Sequence, residues 1–265
     1  MTNARSPALY AGITIIGFFV LIAVGAGYVS PHSPYEMGIP YLKPSGEHFL
    51  GTNDVGQDIL SELIHGTRVS LFIGFAAAFV VTGVGTVLAL IAGYFGGLAD
   101  VAITAVTNVA MALPSLPLTV LLIAYLSGGK WSLILAMSIT AWTGTSRILR
   151  TRVQQVCQMP FILAERGLGV RSPVIIFKHI LPNITDIILM RGSLSIASAM
   201  LTETGLSFLG LGTYGEKSWG NILHYAFFRN SIVRGAYWWY VPPIVCISVA
   251  VLGFMLVGYY GRRTL

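Results

Sequence analysis

The chain has 265 residues, of which 55% are hydrophobic and 10% charged, with a mean hydropathy of +0.76. A soluble domain carries about 25% charged residues, so this composition excludes an ordinary water-soluble globule, which would leave too much apolar surface facing water. The net charge of +6 is spread over few basic residues and reads first as membrane topology, which disfavours a nucleic-acid binder. Cys157 and Cys246 are the only cysteines, so the sequence contains neither a disulfide framework nor a CxxC metal pair.

A hydrocarbon core about 30 Å thick needs about 20 mostly apolar residues per helix. Six stretches meet that requirement, 8–29, 69–94, 101–126, 131–146, 184–211 and 237–260, and they predict an all-α membrane protein with six transmembrane helices. Arg5 precedes the first stretch and small residues follow it, as in a secretory signal. Its apolar core is long for a signal, however, and the rest of the chain is itself apolar, so it reads as an uncleaved span. Residues 1–68 then comprise the first helix and an extracytoplasmic segment ending in the amphipathic run DILSELIHGTR, and residues 69–265 form a core of five helices.

Orientation follows from the basic residues. With a cytoplasmic amino terminus, the inside set is Arg5, Arg147, Arg150, Arg152, Arg166, Arg171, Lys178, Arg262 and Arg263, nine in all. The outside set is Lys43, Arg68, Lys130, Lys217, Arg229 and Arg234, six in all, diluted over longer loops that also hold acidic residues. The positive-inside rule therefore places both termini in the cytoplasm.

The inside loop at 150–183 is long for a connector, and long patterned loops are usually functional. Phe161, Ile162 and Leu168 have the spacing of a short surface helix, Gly169 can end it with positive φ, and Leu181-Pro182 sets the entrance to the fifth span. Exposed apolar residues on such a helix want either a protein groove or the lipid interface, and periodicity alone leaves both open.

The loop resembles the EAA loop of bacterial ABC importer permeases, whose pattern is E-A-A, three residues, G, nine residues, I-x-L-P. With the family glycine at Gly169, the final Leu-Pro falls on Leu181 and Pro182. The E-A-A positions fall on Leu163, Ala164 and Glu165, so the leading glutamate is absent, and His179 stands at the usual isoleucine. HFLGTNDVGQDILSELIHGTRVSL, from His48 to Leu71, is similar to the family's H-x-L-G-T-D-x-x-G-R-D and G-x-R-x-S-L, with Asn53 and Gln57 replacing Asp and Arg. ETGLSFLGLG from Glu203, SWGNIL from Ser218, GYFGG from Gly93 and ALP from Ala112 extend the likeness in order to the end of the chain.

The resemblance implies a type I ABC importer permease of the dipeptide, oligopeptide and nickel branch in a bacterial inner membrane. It would pair with a paralogous permease, two cytoplasmic ATPase subunits carrying ATP and Mg, and an extracytoplasmic substrate-binding protein. The coupling loop would be Phe161, Ile162, Leu163, Ala164, Glu165, Leu168, Gly169, Leu181 and Pro182, with the exposed apolar side chains in a groove on an ATPase. The cargo would be a peptide, or nickel or a metal chelate. The chain itself would be no enzyme, because VTGVGTVLALIAG lacks the phosphate-reaching Lys of a G-x-x-x-x-G-K-[ST] motif. No cofactor is expected in it.

Ionisable and polar residues inside spans usually face a cavity or a partner. Thr107, Asn108, Met111, Ser115, Arg191 and Glu203 are therefore the candidates for a translocation path, with interhelical hydrogen bonding as the alternative. None of His32, His48, His65, His179 and His224 has a partner at i,i+4 or short-loop spacing, so no metal site is expected. Two other classes remain: an ATPase-independent channel or secondary transporter, although the two halves show no convincing repeat of the kind such transporters often carry, and a membrane enzyme, although the sequence offers no Ser with His constellation or intramembrane HExxH.

Overall fold

The computed structural model describes residues 7–126 and 128–261. Arg5, Arg262 and Arg263, used above for orientation, lie outside the described residues. Ten α-helices and two π-helical turns account for most of the described chain. Four helical stretches are long and apolar enough to cross a membrane, and a bent pair makes up to five.

Helix α1 (Pro7–Val29) opens with proline in its first turn, where the missing N–H costs nothing. It is lightly covered: Leu21, Val24 and Tyr28 are exposed, as lipid-facing residues would be. A Pro- and Gly-rich segment follows and folds back over the start of α2 (Ile59–Phe95). Asp58 caps α2, its Oδ2 accepting from Ser61 N at 2.8 Å, which satisfies one of the orphan amides of the first turn.

The sequence expectation of a span starting at 69 is extended by the structure, because α2 is one helix of 37 residues with no break at Arg68. DILSELIHGTR has strong helix formers and no proline, so the amphipathic run and the apolar run simply join.

The third stretch is not straight. Helices α3 (Gly97–Ala112) and α4 (Ser115–Tyr125) meet at 89°. Pro114 disfavours helical ψ in the residue before it, and Leu113 is extended at φ −82, ψ 133. Helix α5 (Lys130–Cys157) runs eleven residues past the predicted end at Ser146, carrying Arg147, Arg150 and Arg152 within the helix.

After α6 (Pro160–Gly167), the chain forms the short α7 (Ser172–Val174), a π-turn (Ile175–Ile180), α8 (Leu181–Leu206) and a second π-turn (Ser207–Leu211), all continuous. Leu181-Pro182 was expected to start a helix, yet it lies inside a helical run that begins at Ser172. Proline there lacks an N–H and crowds the preceding turn. The wider π-turn just before it, closed by Leu181 N–H to Ile176 O, accommodates that defect. Helices α9 (Trp219–Phe228) and α10 (Tyr237–Tyr260) complete the chain.

Helices α2 and α5 run parallel, since Ile73 clusters with Leu133 near one end and Gly93 abuts Val153 near the other. A Cβ at Gly93 would sit 2.7 Å from Val153 Cβ, so only glycine permits this approach. Helix α8 is antiparallel to both: Ile184 packs with Leu90 and Val153, whereas Met200 lies against Gly74. Gly12 of α1 abuts Gly253 and Leu256 of α10, and Gly258 abuts Met190 and Leu194. The start of α1 and the end of α10 therefore lie toward the end of the bundle that holds α6. The opposite end holds the 30–58 segment, the start of α2 and α9.

Candidate functional site

Two features stand out: a short exposed helix at one end of the bundle, and a polar cavity along its side. At the first, Val153, Val156, Ile175, Ile180 and Ile184 form an apolar platform. Helix α6 sits on it through Ile162, which is fully buried. This corrects the expectation that Ile162 is exposed with its neighbours. Burying one side of a two-turn helix requires one inward residue, and Ile162 has that position. Phe161, Leu163 and Leu168 are exposed, at 42%, 54% and 82%, and Ala164 is exposed beside them.

The end of α6 is a Schellman cap: Val170 N–H bonds Glu165 O at 3.1 Å and Gly169 N–H bonds Arg166 O at 3.1 Å. This arrangement needs a left-handed residue at the turn, and Gly169 supplies it at φ +73. The spacing of glycine in the motif thus has a local cause.

Side chains fix the orientation of α6. Arg166 lies over the Tyr94 ring, 4.3 Å from its centroid, and donates to Tyr94 O at 3.2 Å. Glu165 Oε1 is 3.0 Å from His179 Nε2, tying α6 to the π-turn that leads into α8. The departures from the family pattern at 165 and 179 thus meet in space, a pairing that neither position signals alone. Beside them, Asp100 and Arg150 form a two-pronged ion pair joining α3 to α5, with Nη2 to Oδ2 at 2.6 Å. The Cys157 side chain is buried and packs into the platform beside Val156 and Ile162. Leu181 is partly covered against the platform and Pro182 is exposed.

The second feature is a cavity of about 630 Å³ between α2, the α3–α4 bend, α5 and α8. Met111, Ser115 and Arg191 line it, with Thr119, Thr140 and Ser198. The bend at Pro114 opens this space by turning α4 away from the line of α3. Thr119 and Thr140 hydroxyls are 3.1 Å apart, so one donates to the other while the second remains free to donate to its own helix's backbone carbonyl. Arg191 is less well satisfied: Nη2 donates to Thr145 Oγ1 at 3.5 Å, and its buried Nε has no hydrogen bond among the described residues.

Other sequence candidates lie elsewhere. Thr107 is buried and donates to Ile103 O at 2.7 Å, whereas Asn108 is exposed; neither lines the cavity. Glu203 is fully buried, accepting from Ser207 Oγ at 2.7 Å and Ser70 Oγ at 3.4 Å. Ser70 Oγ also accepts from Trp219 N–H at 3.2 Å. Glu203 is thus the centre of a polar joint between α2, α8 and α9, outside the lining of this cavity.

Near the opposite end from α6, Glu62 and Lys217 form a second buried joint that the sequence reading did not single out. Their side chains are 3% and 16% exposed. Lys217 Nζ also donates to Gln57 Oε1 at 2.7 Å, and Asn53 Nδ2 donates to Glu62 Oε1 at 3.1 Å. Asn53 and Gln57, the two departures in the His48–Leu71 motif, are therefore partners in one network; their spacing to Glu62 was visible, but Lys217 is 155 residues distant from Glu62.

Residues 85–264 match the family described as binding-protein-dependent transport system inner membrane component. The chain is 32% identical over 257 residues to the dipeptide transport system permease protein DppC of Bacillus subtilis, covering 96% of this chain and 80% of that protein. It is 33% identical over 267 residues to the oligopeptide transport system permease protein OppC of the same organism, covering 97% and 85%. Among solved structures, a chain of the MetNI methionine ABC transporter in an inward-facing conformation superposes with a TM-score of 0.62. That likeness is at 17% identity and covers 77% of this chain and 96% of that chain; it is a likeness of fold.

Proposed function

The chain belongs to the binding-protein-dependent transport system inner membrane component family and is a multi-pass membrane permease, and we propose that it is one of two paralogous permeases of an ATP-driven peptide importer. Six spans carry it, with α3–α4 as one broken span and α5 as another, and both termini are cytoplasmic. An extracytoplasmic binding protein delivers cargo, and ATP with Mg acts on two cytoplasmic subunits. This chain hydrolyses no ATP.

The observation that carries this reading is α6: a capped helix held rigidly by Ile162, Arg166 and Glu165, yet presenting Phe161, Leu163 and Leu168 outward. Apolar side chains on a charged loop at the bundle end fit a protein groove, and beyond the turn at Gly169 the chain leads through α7 and the π-turn into α8, to which Glu165 is tied by His179. Force on α6 from a closing ATPase pair would reach the cavity through α8, on which Arg191 and Ser198 lie. The size of that shift is bounded by the difference in ATPase affinity for the two transporter states.

Peptide is the favoured cargo because the curated relatives described above are named for dipeptide and oligopeptide transport. The polar cavity with Arg191 at its wall also suits a carboxylate-bearing solute. Tagging the chain in its host, extracting it in mild detergent and identifying stoichiometric partners by mass spectrometry tests the assembly. Recovery of a second permease and ATPase subunits, with the ATPase lost from a Gly169→Asp variant, is expected. Recovery as a homo-oligomer unaffected by that variant would instead favour a channel or secondary transporter. Competition between a labelled dipeptide and labelled nickel for uptake tests the cargo.

A further inference from the structure

The end of the bundle opposite α6 contains a cluster that no residue spacing announced. The 30–58 segment folds back so that His32 and His48 stack, with ring centroids 4.9 Å apart, over Asp58 at the start of α2. His48 Nδ1 lies 3.0 Å from Asp58 Oδ1 and His32 Nδ1 lies 4.0 Å from Asp58 Oδ2. Each of the three residues offers a ligand atom within 4.8 Å of the others.

We propose that His32, His48 and Asp58 form a binding site for one divalent transition-metal ion of the zinc and nickel type. The site is separate from the cavity at Arg191 and does not depend on which cargo the permease carries.

Four observations support it. Two imidazoles and a carboxylate are a donor set that suits zinc, nickel, copper and iron, whereas calcium and magnesium prefer oxygen alone. His32 Nδ1 is buried without a hydrogen bond among the described residues, an unsatisfied acceptor or donor that calls for explanation. The cluster lines a cavity of about 140 Å³ whose mouth also has Glu36 and Glu47 and whose lining includes no Lys or Arg. Its local charge is therefore negative in a chain of net charge +6. Finally, Asp58 is held by a second set of bonds, Oδ2 accepting from Ser61 N–H and Ser61 Oγ–H at 2.8 and 2.7 Å. Such outer partners orient a metal ligand.

Metal–nitrogen and metal–oxygen bonds of about 2.0–2.2 Å require the ligand atoms to draw together slightly, which rotations of the two imidazoles accomplish. His48 would exchange its contact with Asp58 for the ion. Water or the carboxylates at the cavity mouth would complete the coordination. A bound ion would pin the 30–58 segment to α2, and so set the shape of the surface at this end.

The test uses the full-length chain, purified in detergent on a histidine-free tag, stripped with chelator and titrated calorimetrically with zinc chloride and with nickel chloride. One ion per chain with micromolar or tighter affinity is expected. His32→Ala should weaken it at least ~100-fold, since losing even an outer-shell partner costs about 10–100-fold. That variant keeps its fold, because the residue's link to α2 is a backbone one, His32 N–H to Ser61 Oγ at 3.1 Å; an unchanged metal-free melting temperature verifies this. Cobalt substitution adds a spectroscopic readout, with visible absorption bands that His32→Ala abolishes. No saturable binding, or binding that survives His32→Ala, would overturn the proposal.

Discussion

Lys217→Met tests the joint between the α9 end of the chain and the start of α2. The substitution keeps most of the side-chain volume but removes the ammonium from Glu62, which is 2% exposed and then retains Asn53 as its neutral donor. Removing one partner of a buried ion pair costs about 3–5 kcal/mol, because the other charge stays desolvated. Here the pair borders a cavity of about 290 Å³ through which water can reach the carboxylate, which brings the cost to the bottom of that range or just under it, about 2–3 kcal/mol. At roughly 2–4 °C per kcal/mol for a domain of this size, the apparent melting temperature should fall by about 4–12 °C. The assay is intrinsic-fluorescence unfolding of the purified protein in one detergent, with Glu62→Gln/Lys217→Met alongside. The double variant has no buried charge and should recover at least half of the loss. A single-variant shift below about 1 °C, or a double variant no more stable than the single, would refute the desolvation argument.

Two more predictions concern the exposed helix and the cavity. Leu168→Ala, at a side chain 82% exposed, should leave stability within about 0.5 kcal/mol and yet reduce ATPase recovery in detergent pull-downs. Ile162→Ala, on the same helix but fully buried, should lower stability by about 2–5 kcal/mol; similar melting behaviour for both would contradict the orientation of α6. Arg191→Met should reduce uptake of a labelled peptide by about 10–100-fold, the equivalent of a charge-assisted hydrogen bond worth about 1.5–3 kcal/mol, with subunit assembly preserved. Undiminished uptake would remove Arg191 from the path.

Much of this protein is written in short-range patterns. Long apolar runs demanded a non-aqueous solvent, and the Gly169 spacing located a turn whose left-handed backbone follows from local hydrogen bonds among residues 165–170. The single straight span expected over 101–126 overlooked the 89° bend that Pro114 imposes. Helix ends were less legible: hydropathy stops at the first charge, whereas α2 and α5 continue through charged residues because backbone hydrogen bonding does not require lipid.

Which distant residues meet emerges only from packing. Ile162 and Leu168 are both apolar and six positions apart in the chain, and it is the platform of Val153, Ile175 and Ile184 that buries one and leaves the other free. Glu203 read as a path residue until three neighbouring helices enclosed it with Ser70 and Ser207. His32 and His48 carried no metal-like spacing, yet the fold-back of the 30–58 segment stacks them over Asp58. Composition and periodicity depend on residues within a turn or two of one another, so solvent, helices and motifs are legible along the chain. Desolvation, charge pairing and ligand geometry depend on groups brought together across the chain, such as Glu62 and Lys217 at a separation of 155 residues, and those exist only once the helices have packed.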